Sequence, residues 1–254
     1  MKSTLSLVAL VALLLGVSEA ARAQSEITLL SPNPIKDTID KLVSDFQAKT
    51  GTKVATTYGT GVGTRKTVAS GGALDVTLLF APFDDAFKTG NVVPGSATVV
   101  ARLRLAIAVK KGAPKPDIST LAAVKATLLN AKSIISVDPA QGSVGGASLL
   151  ALDKMGITSQ VEPKIKWVRG GGEVQTSVAR GETEIALGPY LSDMRNPGLD
   201  IVGALPPEAA TPVDITGFLS TTVKDPNAAK ALLAYLRSDD AASEWRAAKA
   251  FPVQ

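Results

Sequence analysis

The stretch Gly59-Thr60-Gly61-Val62-Gly63-Thr64 sets three glycines at alternate positions directly before Arg65 and Lys66. Between a strand and a helix, such a turn presents backbone N–H groups at the positive end of a helix dipole, where an anion binds. Thr60 adds a hydroxyl and Arg65 a charge. The same residues could instead form only a tight turn with left-handed glycines, Arg65 being solvated. The spacing fits neither a dinucleotide fingerprint, because the third glycine is one residue early, nor a phosphate loop, because no Gly-Lys-Ser/Thr follows. A second turn of this kind, Ser31-Pro32-Asn33-Pro34, offers Ser31 and Asn33 as donors. Asn33 also suits the N-cap of a helix that begins at Pro34. Two later glycine-rich turns, Gly142–Gly146 with Ser143 and Val144, and Gly170–Val174, each precede a helix as well. Either could bind an anion or serve only in packing.

Other chemistries find little in the residues. The chain of 254 residues has no cysteine and no histidine. That removes thiolate metal sites, a cysteine nucleophile and the commonest general base. No Ser-x-x-Lys and no calcium loop of alternating acids occurs. Asp75, Asp84, Asp85 and Asp138 have no spacing that demands a carboxylate site, and they read as caps and solvated turns. No catalytic residue, metal or cofactor is expected.

Periodicity supplies the elements that position these turns. Ile35, Ile39, Leu42, Val43 and Phe46 form one apolar helical face that Gly51 ends. The run Ile27–Leu30, this helix, the run Val54–Tyr58, a helix from near Thr64 to Ser70 and the run Leu74–Phe80 read as β-α-β-α-β. In parallel α/β sheets, ligands sit beyond the carboxyl ends of the strands. Strand-helix alternation continues to the C-terminus, so the chain is α/β. Two long extended runs, Thr98–Val109 and Thr211–Thr222, bracket the middle third and predict two crossings between lobes. Lobe 1 is expected to hold residues 24–102 with 215–254, and lobe 2 residues 103–214.

Residues 1–23 read as a cleaved secretory signal peptide: Lys2 opens it, Leu5–Leu15 is apolar and uncharged, and Ala21-Arg22-Ala23 is a cleavage signal. The expected location is the periplasm. Removing Lys2, Glu19 and Arg22 lowers the formal net charge from +4 to +3. With neither a polybasic cluster nor an aromatic-basic stripe, nucleic acid is not an expected partner. The 11 aromatic residues in the chain are few for a sugar site.

The order of these motifs resembles the periplasmic molybdate-binding proteins and the wider solute-binding proteins of ABC importers. The resemblance spans most of the chain after residue 23. It is carried by the opening strand with the Pro34–Gly51 helix, by Tyr58–Lys66 and Gly71–Val76, by Asp138-Pro139 with Gly145, by Gly181-Glu182 before Ala186–Asp193, and by a C-terminal helix pair with Phe251. It implies a type II two-lobed fold, with two crossing strands as hinge and ligand held between the lobes. The family's pocket uses two serines, two backbone N–H groups and a tyrosine. The serine positions fall on Pro34 and Gly61, so neither hydroxyl is present, and the backbone positions fall near Val144 and Val174. Tyr190 matches the tyrosine. The ligand implied is a small anion, with a molybdate- or tungstate-type oxyanion placed ahead of an organic carboxylate for transport or signalling. An exported enzyme on the same scaffold comes behind both. The implied partner is an ABC importer permease, and the protein is expected to be a monomer.

Overall fold

The computed structural model describes residues 26–253 except 73, 82, 84–86, 94, 141–142 and 192–195. The segment read as a signal peptide, and Asp84 and Asp85, lie outside the described residues. The chain adopts the two-lobed α/β architecture expected from the sequence.

One sheet has the order β11-β4-β10-β3-β1-β2, from strands β1 (Glu26–Pro32), β2 (Lys53–Gly59), β3 (Val76–Phe80), β4 (Thr98–Leu103), β10 (Val213–Leu219) and β11 (Phe251–Pro252). β1 runs parallel to β2 and β3, while β10 runs antiparallel to β3 and β4. The other sheet has the order β7-β6-β8-β5-β9, from β5 (Leu105–Lys110), β6 (Ile134–Val137), β7 (Ile165–Val168), β8 (Ile185–Pro189) and β9 (Leu199–Ala204). Here β6 is parallel to β7 and β8, and helices α3 (Leu121–Asn130) and α5 (Thr158–Val161) pack into the core of the same lobe. Both sheets therefore direct parallel carboxyl ends at turns that open helices.

The run Thr98–Val109 is two strands in two sheets, broken at Arg104. The other run behaves differently. β10 stays wholly within the first sheet, and the return crossing is the connection 205–212. Leu205 packs in the core of the second lobe, and Val213 packs in that of the first. An extended apolar run has the same pattern whether it crosses or pairs at home, so its sequence does not separate the two cases.

Helix α1 (Lys36–Thr50) buries Ile39, Leu42, Val43 and Phe46, and Gly51 ends it in the left-handed region at φ 74°. Asn33 does not cap it. Residues Asn33–Ile35 form a short 3-10 turn, and no side chain caps either element. Pro34 supplies no N–H and fixes its φ, which suits that tighter turn. Helix α2 (Gly61–Ala69) starts three residues before the expected position because Thr60 caps it, accepting from the Gly63 amide at 2.9 Å. None of Gly59, Gly61 and Gly63 has a positive φ. Gly63 is needed for space, since a Cβ there would lie 2.8 Å from the Thr60 hydroxyl.

Asp75 ties three segments of the first lobe. Its carboxylate accepts from the Thr28 amide at 2.8 Å, the Thr28 hydroxyl at 2.8 Å and the Lys224 amide at 3.0 Å. Burial pushes this carboxyl up, but the bonds from Thr28 and Lys224 outweigh burial and hold it below its ordinary value of 3.8. A depressed folded-state value stabilises the protein above the ordinary value, and that stabilisation is lost as pH falls through the folded value. Asp75→Asn is expected to cost about 1–3 kcal/mol at neutral pH. Urea unfolding of both proteins should show the difference shrinking below the ordinary carboxylate pKa. A constant difference down to strong acid would refute this role.

Candidate functional site

Between the lobes lies a cavity of about 610 Å³. Four helix starts line it. From the first lobe come Asn33 and Pro34 before α1, and Thr60 and Gly61 at α2. From the second come Ser143 and Val144 at α4 (Ser143–Met155), and Gly170–Gly172 at α6 (Gly171–Arg180). The first amides of α2 and α6 have no intrahelical acceptor, whereas the first amide of α1, that of Lys36, already donates to the Asn33 carbonyl. The helix dipole makes each of the four ends positive. Phe80, at the end of β3, and Val137, at the end of β6, add apolar wall.

Of the residues singled out from sequence, Asn33, Thr60, Gly61, Ser143, Val144 and Val174 meet at this cavity. Ser31, Arg65 and Tyr190 are not in its lining. Ser31 is fully buried on β1, with no hydrogen-bond partner for its hydroxyl. It belongs to the strand rather than to the turn, so it stops short of the helix start. Arg65 sits in the second turn of α2, on a side that does not face the cavity. Tyr190 follows β8 at the crossing between lobes, where its amide donates to the Arg104 carbonyl at 2.7 Å. The Val174 amide is turned inside its own helix toward the Gly170 carbonyl at 3.4 Å. Because α6 begins at Gly171, the amides without an internal acceptor are those of Gly171 and Gly172.

Ser143 is buried, and its hydroxyl donates to the Phe80 carbonyl at 3.1 Å, which joins the lobes at the cavity floor. Thr60 uses a lone pair as a cap and keeps its O–H available. A Cβ on Gly61 would come no closer than 3.5 Å to the Phe80 ring, an ordinary contact. Glycine there is a matter of cavity volume rather than of steric need.

The ionisable side chains of the lining, among the described residues, are Lys36, Asp37 and Arg169. Lys36 is already engaged. Its ammonium pairs with Asp40 and lies 4.8 Å from the centroid of the Tyr58 ring. The Tyr58 hydroxyl donates to the same Asp40 carboxylate. Burial would raise the Asp40 carboxyl, yet the bonds from Lys36 and Tyr58 hold it below its usual range. Burial and the Asp40 charge push the Tyr58 phenol up. Arg169 is exposed at the mouth of the β7–α6 turn and forms no salt bridge with a described residue. Arg169 was not among the residues expected from the sequence, although it adjoins a glycine run that opens a helix; there the cation precedes the glycines, whereas Arg65 and Lys66 follow theirs. No cluster of potential metal ligands occurs among the described residues, and no described helix is long and apolar enough to cross a membrane.

Residues 27–248 match the family of bacterial extracellular solute-binding proteins. The chain is 32% identical over 243 residues to an aconitate isomerase from a Pseudomonas species, covering 92% of this chain and 91% of that protein. Among solved structures, the periplasmic molybdate-binding protein of Azotobacter vinelandii superposes with a TM-score of 0.69 at 16% identity, covering 90% of this chain and 100% of that one. A sulfate-binding protein of Mycobacterium tuberculosis gives 0.74 at 18% identity, covering 91% and 88%. These two share the fold. The sequence match over residues 27–248 identifies the chain as a member of the bacterial extracellular solute-binding protein family.

Proposed function

We propose that the protein captures a small organic polycarboxylate, of the size and charge of a six-carbon tricarboxylic acid, between its two lobes. The observation that carries this reading is the cavity itself: about 610 Å³, ringed by four helix starts. A water molecule's share of liquid volume is about 30 Å³. A tetrahedral oxyanion would fill a small part of such a cavity, whereas an organic acid with several carboxylates can reach helix starts on both walls. Pro34 and Gly61 stand in place of the two hydroxyl donors that the molybdate-type pocket uses, so the first-lobe wall lacks both hydroxyls, and Gly61 leaves room beside the Phe80 ring. The similarity to a protein named aconitate isomerase supports the same class of ligand. In this reading the protein acts in the periplasm and delivers its ligand to the permease of an ABC importer. Titration calorimetry with trans-aconitate, citrate, molybdate and sulfate tests it. Organic acid binding is expected, and heat from the inorganic oxyanions alone would reject it.

A second reading is that the cleft also converts its ligand, favoured by the name of that relative. Isomerising a conjugated tricarboxylate needs a base to take a proton from the methylene beside the double bond and an acid to return one at the far carbon. Asp37 is the one carboxylate in the lining among the described residues. Proton NMR of trans-aconitate incubated with the protein separates the readings. A receptor leaves the spectrum unchanged, whereas an isomerase produces the cis form.

A further inference from the structure

We infer that Arg169 selects for ligands with more than one carboxylate, by holding one of them at the β7–α6 turn while the first-lobe helix starts hold another. This rests on the carboxylate reading above and assigns its charge recognition to one side chain.

Charge is distributed unevenly around the cavity. On the first-lobe wall, Lys36 is paired with Asp40 and Asp37 adds a negative charge, so that wall offers little net positive charge from its side chains. What it offers an anion is the positive dipole ends of α1 and α2, the first amides of α2 and the Thr60 hydroxyl. The second-lobe wall has no acidic side chain in the lining among the described residues, and it has Arg169. Glu173, the acid nearest in sequence, lies outside the lining and 3.8 Å from Lys166 in an ion pair. Next to Arg169, Gly170, Gly171 and Gly172 have open space where side chains would stand, since nothing lies within 4 Å of a Cβ at any of them. A carboxylate can therefore approach the α6 amides closely while a guanidinium grips it from the side. Arginine suits this arrangement because its planar fork pairs two donors with two carboxylate oxygens. The two walls thus differ. The first offers an anion dipoles and a hydroxyl, and the second adds a full charge with no ion-pair partner among the described residues. A monocarboxylate satisfies one wall only.

A coupling experiment tests this with propane-1,2,3-tricarboxylate and its monoamides as probes, titrated into wild-type protein, Arg169→Gln and Arg169→Lys. Arg169→Gln should weaken the tricarboxylate about ten- to a hundredfold, the range of a lost charged hydrogen bond. Arg169→Lys should recover part of the loss, since it restores charge without the fork. The ligand-free melting temperature should not change, because Arg169 is exposed. The decisive comparison is the double change. If Arg169 holds a carboxylate, one monoamide binds wild-type protein weakly and loses little more in Arg169→Gln. Losses that simply multiply for every monoamide, or an Arg169→Gln variant that binds the tricarboxylate normally, would overturn the inference and leave the carboxylate reading standing. A wild-type protein that binds no carboxylate would overturn both.

Discussion

Replacing Gly172 with aspartate is expected to leave the protein folded and to remove anion binding. Nothing lies within 4 Å of a Cβ built on Gly172, and its φ is not in the left-handed region, so a side chain fits without strain. The residue stands in the first turn of α6, where a carboxylate favours the helix dipole by about 0.3–1 kcal/mol. The same carboxylate projects into the cavity that Gly172 lines. There it occupies the position proposed for ligand charge, and like charges brought together in a partly dry site cost several kcal/mol, so affinity should fall about a hundredfold or more. Thermal unfolding and calorimetry on one preparation check both halves. Unchanged affinity for the organic acid would mean that the α6 start does not contact it.

Gly145→Ala should do the reverse and damage the fold first. A Cβ on Gly145 would lie 2.0 Å from the Val137 carbonyl oxygen and 2.7 Å from the Asp138 carbonyl carbon. Both are backbone atoms, so no rotamer change relieves the clash. Helix α4 must move away from the end of β6, and Ser143 and Val144 move with it. Overpacking of this severity should cost about 3 kcal/mol or more. For a chain of this size that corresponds to a fall in Tm of roughly 6–12 °C. The displacement would also strain the bond from Ser143 to the Phe80 carbonyl, which links the lobes. A variant that melts like the parent would show that α4 packs farther from β6 than described.

The sequence was most informative where the local signal is strong. The face of α1 reads from its spacing because Ile39, Leu42, Val43 and Phe46 all enter one core. The turns that open α2, α4 and α6 read from glycines that interrupt the alternation of strand and helix. Where partners distant in the chain decide, the same residues said less. Asp75 has the same composition cue as any turn acid, and only Thr28 and the segment at Lys224 give it a structural task. Ser31 looked like a donor, but strand pairing with Tyr58 keeps it one step short of the helix start. Tyr190 matched a motif by position, yet its amide serves the crossing at Arg104. The alternating glycines suggested left-handed turns, whereas an early cap by Thr60 absorbed two of them into α2. Arg169 was hidden because a lone exposed arginine is ordinary until a fold sets it beside a second lobe.

The size of the cleft and its ring of helix starts suit an organic polyanion better than a small tetrahedral ion. Calorimetric titration of ligand-free protein with trans-aconitate, and separately with molybdate, tests this preference most directly. Saturable one-to-one binding of the tricarboxylate is expected, with no heat from molybdate at the same concentration. Tight molybdate binding, with no heat from the tricarboxylate, would contradict it.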